Sequence, residues 1–220
     1  MTRRAVGIDV GAETIWAVSF DLDERARPAT AWLSHPVDLV GLAERCEGAA
    51  VVAVDAPAAP SDRPHLGDER LASKFQAARC GEVALRRRGI AVPWVTPPRG
   101  TVPAPWVATG YAVWEALLSQ SLTVVETYPH GIFWRLFGAP ITHKQHPAGH
   151  LRRIAVLREI APLPEGVEMW SHDGIDALAC ATLAVLVADG AGERADCTED
   201  GGWPTHDGSS IWLPPAAEKA

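Results

Sequence analysis

A chain of 220 residues, 47% of them apolar, has enough material for one well-buried domain with moderate insertions, and it is not a disordered polymer. A formal net charge of −7 with both signs scattered along the sequence excludes a general nucleic-acid coat but still permits a local basic groove. Cys46, Cys80, Cys180 and Cys197 have no paired spacing, so neither a zinc knuckle nor a disulfide framework is indicated. The first four residues run straight into an apolar stretch with no room for a secretory leader, and the longest apolar run, 174–188, is too short to cross a bilayer. These features lead us to expect a cytoplasmic protein, with 1–215 as a single domain and 216–220 as a frayed tail.

The sequence begins with Val6-Gly7-Ile8-Asp9-Val10-Gly11, an apolar run that carries one acid to its end, where Gly11 permits a turn. The β-branched and aromatic run 14–20 follows, so the opening reads as a hairpin rather than strand then helix. A dinucleotide fingerprint, which opens a helix with its glycines, is thereby excluded. Residues 29–33 form a possible third strand, and 38–46 a short helix with Leu39, Leu42 and Ala43 as its apolar stripe. The run 49–54 is wholly apolar and delivers Asp55 before Pro57 stops the strand. Open sheets place their sites at such strand ends.

Asp68 then precedes Leu71, Phe75, Ala78 and Leu85 at helical spacing, with Glu82 on the same stripe. An acid in an apolar phase needs a partner, and Arg79 and Arg86, each about one turn away, can supply it. Residues 86–88 are a basic cluster favourable at a helix C-terminus and a local candidate for phosphate contact. Five prolines between 93 and 105 leave an ordered loop or lid. A helix resumes over 106–118, and a strand over 122–126 ends in Glu126 before Tyr128-Pro129, the third strand to deliver an acid. After a short helix over 130–137 come His143, Lys144, His146 and His150. The histidines lack the spacing of a metal site, whereas Lys144, Arg152 and Arg153 form a positive patch.

The stretch 171–181 carries Asp173 and Asp176 three residues apart at the start of a small-residue helix, which puts both carboxylates on one face. An N-terminal capping pair accounts for these two locally, but not for the three strand-end acids. Clustered acids suit divalent cations: hard ions take oxygen ligands, and two of them about 4 Å apart can promote phosphodiester hydrolysis. The residues therefore nominate Asp9, Asp55, Glu126, Asp173 and Asp176 as ligands of Mg2+ or Mn2+. No serine or cysteine arrangement calls for a covalent nucleophile.

At these residues a resemblance becomes specific. The order of hairpin, third strand, helix, acid-bearing strands and terminal helix resembles the RNase H-like fold, a mixed five-stranded sheet flanked by helices. The stretch 172–179 is similar to the last motif of RuvC-type resolvases. Gly7-Ile8-Asp9, Val54-Asp55-Ala56-Pro57, Glu126-Thr127-Tyr128-Pro129, Lys144 and Asp173-Gly174-Ile175-Asp176-Ala177 together resemble domain of unknown function 429, a family of predicted RNase H-like nucleases, from about Arg4 to Leu213. The resemblance implies metal-dependent hydrolysis of DNA or RNA. It also implies a role for an arginine followed shortly by an acid, here Arg79 and Glu82. Lys144, Arg79, Arg86, Arg152 and Arg153 are the expected substrate contacts, with Glu82 and His172 supporting the acids. The alternatives are a non-catalytic binding or structural protein on the same scaffold and an ATP-dependent phosphotransferase of the actin and sugar-kinase type. The phosphotransferase needs more length and a second glycine-rich loop.

Overall fold

The structure is a computed structural model that describes residues 3–138, 142–197 and 208–216. Strands β1 (Arg4–Val10), β2 (Ile15–Asp21) and β3 (Thr30–Ser34) form the antiparallel opening, and helix α1 (Leu39–Cys46) leads to β4 (Ala49–Asp55). After α2 (Ser73–Gln76), α3 (Cys80–Arg87) and α4 (Pro105–Leu118), the short β5 (Val124–Glu126) completes a five-stranded sheet in the order β3-β2-β1-β4-β5. Both β4 on β1 and β5 on β4 are parallel pairs, so the sheet is mixed. Helices α5 (Pro129–Phe137), α6 (Pro147–Arg158) and α7 (His172–Ala188) follow, and β6 (Glu193–Ala195) pairs with β7 (Ile211–Leu213) in a separate ribbon. This is the expected RNase H-like α/β arrangement. The Glu126 strand lies at the edge of the sheet, beyond β4.

Strand periodicity decides what each face buries. Val6, Ile8 and Val10 of β1 and Val52 and Val54 of β4 pack with Leu42 of α1 and Val113, Trp114 and Leu117 of α4. The intervening Ala5, Val51 and Ala53 turn to the other face and pack with α5, α6 and the Ala177–Leu178–Ala181–Ala184 side of α7. Helix α7 can lie this close because it meets β1 at a glycine: a Cβ on Gly7 would stand 1.8 Å from the Ala181 nitrogen. The long apolar run 174–188 is thus a helix buried on its own sheet, and no helix among the described residues is long and apolar enough to cross a membrane.

Several local expectations shift. The helical spacing from Asp68 to Leu85 is broken: Asp68 closes a turn with Arg70, and the chain forms α2 and α3 with Arg79 extended between them. Helix α6 begins at Pro147 rather than at Arg152, capped by His146, whose ring accepts from the Ala148 nitrogen. The tail 217–220 lies outside the described residues.

Candidate functional site

Asp9 and Asp55 are register partners on adjacent parallel strands. Each is in phase with the residues that pack on α7, so both carboxylates emerge on the α7 side at the C-terminal edge of the sheet. Burial holds both pKa values well above the usual aspartate range, and for each acid the charge of other carboxylates adds to it: Asp55 and Asp176 act on Asp9, and Asp176 on Asp55.

Helix α7 brings Asp173 and Asp176 to the same edge. Its N-cap is Ser171, whose hydroxyl accepts from the Gly174 nitrogen at 3.2 Å, so neither aspartate is consumed in capping. Asp173 is half-buried with His172 Nε2 3.0 Å from its carboxylate. Asp176 is buried and already partnered: Lys144 Nζ donates to Oδ2 at 2.7 Å, and Arg153 Nη1 to Oδ1 at 3.4 Å. Burial works against the Lys144 ammonium, but Asp176, Asp9 and Asp173 outweigh it and raise its pKa. Arg153 lies over the Phe133 ring, 4.4 Å from its centroid.

Asp9, Asp55, Asp173, Asp176, Lys144 and Arg153 line one cleft of ≈ 540 Å³. Tyr128, His130, Trp94 and Trp106 form its other wall, which the sequence reading did not single out. Trp94 and Trp106 meet edge to face with ring centroids 4.4 Å apart, so the proline-rich segment contributes an aromatic rim. Burial, and after it the Arg153 charge, lowers the pKa of His130, which lines the cleft with the acids. Of the four residues of this wall, Tyr128 falls within the motif 126–129, and Trp94 stands in the proline-broken loop.

Glu126 pairs in register with Val54, whose side chain belongs to the α4 face, yet the glutamate lines one small pocket with Asp55, Arg79 and Glu82, and its charge adds to the raised Asp55 pKa. There Arg79 donates from Nη1 to Oε2 at 2.8 Å and from Nη2 to Oε1, and the Ala58 nitrogen donates to Oε2 at 3.0 Å. Glu82 completes this buried group. It accepts from the Arg79 and Thr96 nitrogens at 3.0 and 2.8 Å, and burial raises its pKa against the pull of Arg79. The Arg79–Glu82 pairing expected from helical spacing is present at 3.7 Å, but the tighter partner of Arg79 is Glu126.

The remaining cations are dispersed. Arg86 is exposed on a different depression beside Lys74, and Arg152 is exposed over the Phe137 ring. Of the three histidines, His143 reaches the cleft, while His150 meets the Glu168 carbonyl.

Two donor sets could hold a metal. At the cleft the donors are oxygens, suited to a hard cation, yet among the described residues no three carboxylates bring one oxygen each within 4.8 Å of one another. A second set, His65, Cys80 and Cys197, does meet that spacing. The cysteine spacing does not reveal this set, because the three residues come from segments far apart in the chain.

A family model described as "Protein of unknown function (DUF429)" matches residues 7–199. No curated protein matches the sequence. Among solved structures, the chain is similar to one described as "Thermus thermophilus RuvC structure" at 15% identity and a TM-score of 0.45, covering 85% of this chain and 96% of that one.

Proposed function

This chain belongs to the DUF429 family of proteins of unknown function, and from the geometry of its cleft we propose that it is an RNase H-like binding protein for a nucleic-acid backbone. Asp9 and Asp55 would hold the divalent cation, Mg2+ or Mn2+, that accompanies the phosphate. The carrying observation is the state of the acids: two carboxylates share an edge with raised pKa values, while Asp176 is engaged by Lys144 and Arg153 and Glu126 by Arg79. Two adjacent acids of this kind fit one hard cation, which relieves their repulsion. Lys144 orients phosphate at the cleft, and the Trp94 and Trp106 rim offers a face on which a base can stack.

Phosphodiester hydrolysis is the second reading, favoured by Asp173 and Asp176 lining the same cleft as Asp9 and Asp55. A divalent cation there supplies Lewis acidity toward a phosphoryl oxygen and acidifies water. For that chemistry Asp9 and Asp55 would hold the cation, and Lys144, which donates to Asp176, would be the positive side chain of the cleft that contacts the phosphate.

Calorimetric titration of Mg2+ and Mn2+ into wild type and Asp9→Asn, paired with binding and cleavage screens over labelled DNA and RNA, separates the two readings. Cation-dependent binding without cleavage, lost in Asp9→Asn, supports the binding protein. Cleavage that vanishes in Asp9→Asn moves the conclusion to the hydrolase. Equal cation affinity in both proteins defeats the site for either.

A further inference from the structure

We propose that His65, Cys80 and Cys197 form a zinc site that clamps α3 to the turn before α2 and to the segment after β6. One ligand atom from each of the three lies within 4.8 Å of the other two. All three side chains are buried, at 2%, 0% and 6% exposure. Cys197 Sγ is 3.7 Å from His65 Nε2. Two atoms bonded to one tetrahedral zinc, with Zn–S near 2.3 Å and Zn–N near 2.0 Å, stand roughly 3.5 Å apart. The cysteine–histidine edge therefore already has close to the length that a shared ion requires.

Cys197 Sγ also lies 3.6 Å from the Cys80 carbonyl oxygen, a contact that holds the two segments together, and the Cys80 sulfur falls inside the same radius as the third ligand atom. Two sulfurs and an imidazole select a borderline-soft ion over Mg2+, so this site and the acid cleft call for different metals. Cys80 is the first residue of α3, where the positive end of the helix favours thiolate. Two thiolates balance the charge of one Zn2+, which removes the cost of burying them.

The site has a structural consequence. His65 and Cys197 are 132 residues apart in sequence, and Cys80 directly follows Arg79, the cation that holds Glu126. A metal at Cys80 fixes the start of α3 and with it the Arg79 guanidinium. It thus acts as a positioning device for the wall behind Asp55.

The test uses the full chain, purified reduced and without chelators. Elemental analysis should find about one zinc per chain. Replacement by Co2+ should produce thiolate-to-cobalt charge-transfer absorption, a readout that needs no variant to fold. Cys197→Ala should lose the metal, whereas Cys46→Ala, which removes a buried cysteine of α1, should keep it. Chelation should lower Tm. Wild type with neither zinc nor the cobalt band, or a Cys197→Ala protein with undiminished metal, would each overturn the proposal.

Discussion

Asp9 and Asp55 differ from Glu126 in strand parity: all three end apolar strands, but only the first two are in phase with the α7 face. Their shared edge has a pH signature. Because burial and neighbouring carboxylates raise both pKa values, the folded protein retains protons that the unfolded chain releases near pH 3.9, roughly the ordinary aspartate value. The stability this confers is complete below that pH and is lost as pH rises through the raised values. In the metal-free protein the Tm of wild type should therefore fall relative to that of Asp9→Asn as pH rises above about 4, and saturating Mg2+ should close the gap. Parallel curves for the two proteins would show that the pair carries no such repulsion. Glu126 belongs to a different experiment. Arg79→Met leaves Glu126 and Glu82 as buried charges without their guanidinium and should cost about 3–5 kcal/mol in urea unfolding. Glu126→Gln should lower stability in the same unfolding experiment, since it leaves the Arg79 guanidinium without its carboxylate.

At the scale of elements, the site depends on how closely α7 approaches β1. Gly7 is the point of contact, and an added methyl would overlap the α7 backbone at Ala181 and Cys180. Gly7→Ala should cost about 1–3 kcal/mol or more by overpacking. By displacing α7 it should also weaken cation binding, although no ligand has changed. Calorimetry and denaturation on the same variant check both. The α7 cap separates structure from site. Ser171→Ala should cost about 0.5–2 kcal/mol, while Asp173→Asn should barely move the unfolding midpoint, because the serine hydroxyl and not the aspartate holds the Gly174 nitrogen.

For the whole molecule, a net charge of −7 sets the terms of any meeting with nucleic acid. The cleft's own cations, Lys144 and Arg153, face Asp176, so attraction for a phosphate chain is local and benefits from a bound divalent ion. Lys144→Ala should reduce the slope of log affinity against log salt by about 1. Arg86→Ala, on the separate depression, should leave that slope unchanged. We further propose that 1–215 unfold as one unit, since the sheet is built from β1 to β5 and closed by α7, late in the chain. A single calorimetric transition would agree with this, and two resolved transitions would refute it.

The sequence alone determined the hairpin opening, the strand-end positions of Asp9 and Asp55 and the terminal helix. Each rests on local periodicity or on a proline or glycine stop, which a single segment carries within itself. Tertiary structure decided the rest. The parity of Val54 and Glu126 across β4 and β5 turned one acid to the opposite face, and this depends on a register that no single strand contains. Arg79 keeps Glu82 within 3.7 Å and gains Glu126 as its tighter partner, a residue 47 positions away that helical spacing could not reveal. His65, Cys80 and Cys197 converge only when the chain has closed on itself, since ligand spacing is legible in sequence only when a short loop supplies the ligands.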